Sequence, residues 1–299
     1  MKIKNVTIAG GGVLGSQIAW QTALKGFSVT VYDAFEDGIN NCKKYHKRYA
    51  ELFRASKGVS KAEIEDTISR LTYSTNLKEA VKDADLISES IPENLEIKKS
   101  FYKELAQLAP EKTIFTTNSS TMLPSYYAKE TGRPEKFLAL HFSNPVWDAN
   151  VGEVMSHPKT DSKYFDIVVN FTKEIGLVPI PIQKEQPGYV LNSLLVPFLI
   201  AAQDLWFNGV SDFKSIDKTW MISTGSKSGP FGILDLVGMQ TIYNITMMDA
   251  KKLNSPSLYE RAEIIKAEFI DKGKMGISTG QGFYSYPNPE YKDPDFLTK

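Results

Sequence analysis

Three groups of residues carry types and spacings that could do chemistry. The first is His141, at the end of the strand-like run 137–142, with Glu153 twelve residues further on. A histidine with a carboxylate partner can act as a general base at neutral pH, because the carboxylate fixes the tautomer and stabilises the imidazolium. A hydrogen-bonded structural histidine is the competing reading, and the spacing alone does not separate the two. The second group is the turn Gly10-x-Gly12-x-x-Gly15, which holds Val13 and Leu14 and follows the run 5–9 directly. In such a turn the first glycine permits the tight bend, the second lets the backbone approach a pyrophosphate, and the third lets helix and strand pack closely. Asp33 ends the next strand-like run, 23 residues past Gly10. An acidic group there suits a free ribose 2′-hydroxyl and repels a 2′-phosphate, which favours NAD over NADP. A glycine-rich adenosine site for another ligand such as S-adenosylmethionine, or a bare strand–helix turn with a surface aspartate, are the alternatives. The third group is the basic stretch Lys43-Lys44-Tyr45-His46-Lys47-Arg48 with Arg54, Lys57 and Lys61. It suits phosphate binding or is a solvated helix face.

The elements that must position these groups follow from periodicity. Strand-like runs at 5–9, 28–32, 85–91, 113–117 and 137–142 alternate with helical patterns at 14–25, 40–57 and 95–108. That alternation predicts a parallel sheet covered on both faces. Two further runs, 152–156 and 178–182, flank a helical pattern at 162–175 and extend the sheet. His141 and Ser120 then fall at strand C-termini, the edge where open α/β sheets bind ligands. Beyond Pro187 strand-like runs nearly vanish, and helical spacing dominates from Leu191 to Trp206, with Pro197 predicted to kink that helix. More helical patterns follow at 212–223, 236–252 and 257–271. We therefore expect an α/β domain over 1–185 and an all-helical domain over 186–299.

Composition excludes several classes. The 299 residues carry 35 Lys+Arg against 35 Asp+Glu, so a nucleic-acid binder relying on a broad basic surface is not expected. One cysteine, Cys42, cannot form an intramolecular disulfide, and with only three histidines there is no zinc-module spacing, so no metal is expected. His46 and His157 have no partner visible in the sequence and are read as surface residues. The longest uncharged stretch, 186–203, is interrupted by Pro187, Asn192 and Pro197, so it reads as a buried helix and no membrane association is expected. The absence of an export-signal pattern and the single thiol make the cytoplasm the expected address.

The ordered motifs resemble the 3-hydroxyacyl-CoA dehydrogenase family, close to its short bacterial 3-hydroxybutyryl-CoA type. They are the glycine turn; Glu89-Ser90-Ile91-Pro92-Glu93-Asn94 with Lys98; Asn118-Ser119-Ser120; His141-Phe142-Ser143-Asn144-Pro145 with Glu153; Pro187-Gly188-Tyr189-Val190-Leu191-Asn192; Gly229-Pro230-Phe231; and Gly280-Gln281-Gly282-Phe283-Tyr284. The resemblance implies a doubly wound Rossmann-type N-terminal domain and NAD-dependent oxidation of an L-3-hydroxyacyl thioester, with an acyl-CoA as substrate and a homodimer formed through the helical domain. It implies His141 as base and Glu153 as its orienting partner. Ser120 would lie near the substrate 3-oxygen and the nicotinamide, or is an N-cap serine. Asn144 and Asn192 would supply amide dipoles, with Asn192 drawing the site between the two domains, unless it only relieves the Pro197 kink. Glu93 and Lys98 would lie near the nicotinamide half of the cofactor, although Lys98 reads equally as a solvated helix residue. Lys43, Lys47 and Lys57 of the basic arm would hold the CoA nucleotide.

The chain also departs from that pattern. Ser278 stands where some relatives place a lysine on the cofactor, and Ser193 replaces a common arginine. Trp147 and Asp148 interrupt a stretch that is small and apolar in many relatives, which favours a short or polar substrate. A same-fold dehydrogenase of a non-CoA 3-hydroxy substrate, such as a sugar acid or a carnitine-like compound, is the alternative. A non-catalytic NAD-binding protein is the different-class reading, and the presence of His141, Glu153, Ser120 and Asn192 argues against it.

Overall fold

The computed structural model describes residues 2–298. The chain divides into two compact units, one ending at Leu191 and the other beginning at Asn192.

The first unit is a Rossmann-type α/β layer structure. Its strands are β1 (Asn5–Ala9), β2 (Ser28–Tyr32), β3 (Leu71–Ser74), β4 (Leu86–Glu89), β5 (Ile114–Thr117), β6 (Phe137–Phe142), β7 (Val151–Met155) and β8 (Val178–Ile182). They form one sheet in the order β3-β2-β1-β4-β5-β6-β7-β8. Helices α1 (Val13–Leu24), α2 (Glu36–Ser56), α3 (Lys61–Ser69), α4 (Leu77–Val81), α5 (Leu95–Leu108) and α6 (Ser162–Glu174) connect them. The central strands are buried on both faces: β4, β5 and β6 contain no exposed residue. Helix α1 is likewise buried along nine consecutive residues, Gly15 to Ala23.

Two features differ from the sequence expectation. Strand β3 and helix α3 are too short for periodicity to reveal, although the Ser60–Glu63 capping box that starts α3 is a legible S-x-x-E signal. And β7 runs antiparallel to β6 inside an otherwise parallel sheet. Only eight residues separate these strands, and a parallel crossover needs about a dozen or more.

His46 and His157 are buried, which corrects their reading as surface residues. In α2 the buried positions are Ile39, Cys42, His46, Tyr49 and Phe53, spaced three and four apart, so His46 belongs to the inward stripe. Its Nε2 donates to the Ser16 carbonyl (2.9 Å) and its Nδ1 accepts from the Tyr73 hydroxyl (2.7 Å). Burial pushes its pKa down to about 4, so the ring is neutral. His157 donates from Nε2 to the Pro134 carbonyl (2.9 Å).

The second unit is helical: α7 (Leu191–Phe207), which contains Pro197, then α8 (Phe213–Thr224), α9 (Pro230–Val237), α10 (Met239–Leu253) and α11 (Pro256–Ile265). The pattern at 236–252 is split between α9 and α10. Gly238, at φ 91°, ends α9. A core of Leu199, Ile216, Phe231, Leu234, Ile265 and Tyr284 holds these helices together. Among the described residues no strand occurs in this unit.

Candidate active site

The glycine turn is built as its spacing requires. Gly10 has φ 108°, and a Cβ there would lie 2.4 Å from the Ser90 carbonyl oxygen. A Cβ on Gly15 would lie 2.0 Å from the Gly10 oxygen, so only glycine lets α1 start this close to β1. Gly12 is different: an added Cβ meets no protein atom within 4 Å. Packing does not demand glycine there, whereas a pyrophosphate lying against that backbone does. Val13 is exposed and Leu14 half-buried at the same helix N-terminus. Asp33 follows β2, and its Oδ2 accepts from the Gly11 N–H (2.8 Å). Its Oδ1 accepts from the Phe35 N–H (3.1 Å), which leaves lone pairs on both oxygens for a ribose hydroxyl. The residues therefore fit NAD.

His141 and Glu153 are directly paired across the β6–β7 ladder, so their side chains share one face of the sheet. His141 Nδ1 lies 2.9 Å from Glu153 Oε2, and both residues are buried. Glu153 Oε1 accepts from two successive backbone groups, Val190 N–H and Leu191 N–H, each at 2.9 Å. Burial pushes this carboxyl up, but the bonds from His141, Leu191 and Val190 outweigh it, and its pKa is lowered. An ionised Glu153 assigns the proton to Nδ1 of His141, and so leaves a lone pair on Nε2. That Nε2 lies 3.0 Å from the Ser120 Oγ, which donates to it. The ring of Tyr189 lies against the imidazole, with centroids 4.4 Å apart and planes 12° apart.

Ser120 sits on a turn beyond β5 that is held from below. Glu93 Oε1 accepts from the Ser119 hydroxyl (2.5 Å), the Thr121 N–H (3.2 Å) and the Thr121 hydroxyl (2.8 Å). Burial raises Glu93, and the bonds from Ser119 and Thr121 with the Lys98 charge bring its pKa below the ordinary value. Lys98 is not the solvated helix residue that the sequence left open. It is buried, with Nζ 2.5 Å from Glu89 and 3.3 Å from Glu93. Glu89 is buried with it and also accepts from Thr117 (2.8 Å) and Tyr102 (3.2 Å). Asn118 ties the strand ends together, accepting from the Phe142 N–H (2.9 Å) and donating to Ser90 (3.2 Å). Asn144 Oδ1 accepts from Gln17 of α1 (2.9 Å), so Asn144 stands beside the glycine-turn helix.

The basic arm lies along α2 and just beyond it. Lys43 sits over the Tyr73 ring at 5.2 Å, and Lys47 is exposed. Lys57 forms an ion pair with Asp148. Trp147 packs edge-on against Tyr49 (4.9 Å) and Phe53 (5.1 Å) of α2. Of the sequence-predicted residues, the first unit thus brings His141, Glu153 and Ser120 into one constellation. Glu93 and Lys98 lie beneath it, and the glycine turn and Asp33 form a separate cradle. Asn192 opens the second unit, in the first turn of α7, and Ser278 lies in a short 3₁₀ turn of that unit. Sequence reasoning gives no role to Tyr189, Glu89 and Gln17. Tyr189 and Glu89 stand inside motifs that it singles out, whereas Gln17 carries no signal.

A Rossmann-type sheet with a strand-end His–Glu pair suits a nicotinamide-dependent dehydrogenase, and comparison with known proteins shows that class. Residues 5–186 match the NAD binding domain of 3-hydroxyacyl-CoA dehydrogenase, and residues 188–286 match the C-terminal domain of the same enzyme. The chain belongs to the 3-hydroxyacyl-CoA dehydrogenase family, whose members are NAD-dependent oxidoreductases. It is 35% identical over 300 residues to the mitochondrial hydroxyacyl-coenzyme A dehydrogenase of Homo sapiens, covering 95% of this chain and 91% of that one. It is 30% identical to a probable 3-hydroxybutyryl-CoA dehydrogenase of Bacillus subtilis, covering 96% and 98%. Among solved structures, it resembles a diketoreductase described as a dual catalyst of dicarbonyl compounds. That match has 49% identity and a TM-score of 0.90, covering 96% of this chain and 100% of the other. Among the described residues, no helix is long and apolar enough to cross a membrane.

Proposed function

We propose that the protein interconverts a short-chain L-3-hydroxyacyl-CoA and its 3-keto form, with His141 as general base. The observation that carries this reading is the line Glu153–His141–Ser120, in which Nδ1 is held by a carboxylate and Nε2 faces a hydroxyl. Ser120 marks where a substrate 3-hydroxyl would replace or share the bond to Nε2. His141 Nε2 takes the hydroxyl proton as the C3–H bond breaks, and Glu153 stabilises the imidazolium that results. Bound NAD⁺ supplies the hydride acceptor. In the reverse direction the imidazolium returns the proton to the 3-oxygen. Gly10, Gly12, Val13, Leu14, Gly15 and Asp33 bind the adenosine and pyrophosphate side of the cofactor. Glu93 and Lys98 support the reacting side through the Ser119–Ser120 turn, and Asn144 and Asn192 contribute amide dipoles.

Lys43 and Lys47 offer positive charge for CoA phosphates. We assign residues 1–185 to cofactor binding and residues 186–299 to substrate binding and homodimer formation. Exposed apolar side chains on the second unit, including Leu194, Val210, Ile222, Leu236 and Met248, support that dimer. The buried lone thiol of Cys42 suits a reducing compartment, and the cytoplasm is the proposed site of action.

A second reading, reduction of a free dicarbonyl compound, is favoured by two observations. They are the similarity to the diketoreductase and the engagement of Lys57, one of the arm's cations, by Asp148. A panel assay following NADH oxidation separates the two. Acetoacetyl-CoA is expected to give a higher kcat/KM than free dicarbonyl compounds or longer 3-ketoacyl-CoA esters. Turnover of a free dicarbonyl compound with none of acetoacetyl-CoA would replace the first reading by the second.

A further inference from the structure

The segment between the last strand of the first unit and helix α7 makes contacts that a connecting loop does not need. Gly188 and Tyr189 both have positive φ, 80° and 54°. Tyrosine rarely adopts that backbone region, so the surrounding structure must hold it there. The turn achieves three things at once. It aims the Val190 and Leu191 N–H groups at Glu153 Oε1. It lays the buried Tyr189 ring against the His141 imidazole, nearly parallel to it. It also brings the Tyr189 hydroxyl 2.7 Å from the carbonyl oxygen of Ser119, the residue before Ser120. That hydroxyl stays a donor, because burial and then the nearby Tyr127 and Glu153 groups raise its pKa.

We propose that Tyr189 is a positioning residue for the reaction, fixing the plane of the His141 ring and its place relative to the Ser119–Ser120 turn. The proposal rests on the reading of His141 as the base. The imidazole is anchored at Cβ by strand β6 and at its two nitrogens by Glu153 and Ser120, but a substrate hydroxyl that replaces Ser120 would loosen the Nε2 anchor and let the ring tilt. A flat ring stacked on its face limits that tilt whether or not Ser120 holds Nε2. The π face also attracts the imidazolium more strongly than the neutral ring, so the contact strengthens as the proton arrives. The hydroxyl bond makes the turn carrying Ser120 and the stacked ring one unit. Tyr189 touches no reacting atom. It acts through His141 and Ser120.

The test is a double-mutant cycle read in kcat and KM. Tyr189→Leu removes the ring and should lower kcat about ten- to hundredfold, with both KM values within about twofold, because misplacing a catalytic group by about 1 Å costs that order of rate. Tyr189→Phe keeps the stack and loses only the hydroxyl, and should recover kcat to within about fivefold of the parent. In a His141→Ala background the Leu substitution should change the residual kcat by less than about twofold, since its effect runs through the missing ring. Equal losses in both backgrounds, or a folded Tyr189→Leu variant with parental kcat, overturn the proposal. If Tyr189→Leu does not fold, Tyr189→Met, which also removes the flat ring, reads the same coupling in the two backgrounds: a loss confined to the His141 background supports it, and an equal loss, or none in either, overturns it. A His141→Ala variant with unchanged kcat overturns the base assignment itself, and so is distinguishable from a failure of Tyr189 alone.

Discussion

Glu153 in the first unit and Asp217 in the second are both buried carboxylates that accept two backbone N–H groups and one side-chain donor. For Glu153 these are Val190, Leu191 and the His141 ring. For Asp217 they are Phe231 (2.9 Å), Gly232 (3.2 Å) and the Tyr284 hydroxyl (2.9 Å). Their pKa values move in opposite directions. That of Glu153 is lowered, while burial and then the neighbouring Asp235 outweigh the donors at Asp217 and push its pKa up to about 6. Two neighbours separate them: Glu153 has an imidazole that can take a positive charge, and Asp217 has a phenol that cannot and a second carboxylate, Asp235, beside it. Two backbone N–H groups do not by themselves keep a buried carboxylate acidic. The first arrangement is suited to moving a proton. The second ties the C-terminal segment to α9, with Asp235 accepting from Phe283 N–H, Tyr284 N–H and the Tyr286 hydroxyl.

That contrast can be broken most directly at His141. His141→Ala should lower kcat roughly 10²–10⁴-fold while leaving NAD affinity unchanged, as steady-state kinetics and NADH fluorescence titration would show. Glu153 keeps its two backbone donors in that variant, so the fold survives. The counterpart in the second unit is Asp217→Ala. It strands two buried N–H groups and a phenol, and should cost about 1–3 kcal/mol of stability in chemical denaturation. The catalytic rate of the folded fraction should stay unchanged.

A smaller effect separates two glycines that look alike in sequence. A Cβ on Gly282 would lie 2.0 Å from Asp235 Oδ1, so Gly282→Ala should lower the melting temperature and leave the Kd for NAD unchanged. Gly12→Ala should do the reverse, weakening NAD binding about tenfold at parental stability, because its Cβ meets no protein atom within 4 Å and would crowd a bound pyrophosphate. If Gly12→Ala proves destabilising instead, the cofactor cradle has been misassigned.

The smallest effect is the pH dependence of stability. Asp217 binds its proton more tightly folded than unfolded. Its contribution is therefore complete below the ordinary aspartate value of 3.8 and is lost as pH rises through about 6. Glu153 has the opposite sign: its contribution is present above the ordinary glutamate value of 4.5 and is lost as pH falls through its lowered value. Melting curves of Asp217→Asn should approach those of the parent as pH rises from 4 to 7. Those of Glu153→Gln should diverge from the parent as pH rises to 4.5 and keep a constant gap above it. The same trend in both would show that one carboxylate has been given the wrong environment.

Much of this was legible before any coordinates. The glycine turn, Asp33, the strand-end position of His141 and the change to helical periodicity after Pro187 are local signals, and the division into an α/β part and a helical part follows from them. His46 can be read from the three-and-four spacing of the α2 stripe, but with no partner visible in the sequence it reads as a surface residue. Lys98 was not legible. A buried ammonium is tolerable only beside carboxylates, and those of Glu89 and Glu93 reach it because β4 ends beneath the first turn of α5. The link between His141 and Glu153 was half legible. The spacing suggested a pair, while the antiparallel register of β7 is what sets them face to face.

The sequence by itself determined where the backbone can bend and which faces are apolar, because steric limits at glycine and the periods of helix and strand act over a few residues. Only the tertiary structure decided which side chain meets which. Register sets the facing partner, burial sets the charge state, and the Tyr189 ring against His141 depends on both. Neither is encoded in any short stretch of chain.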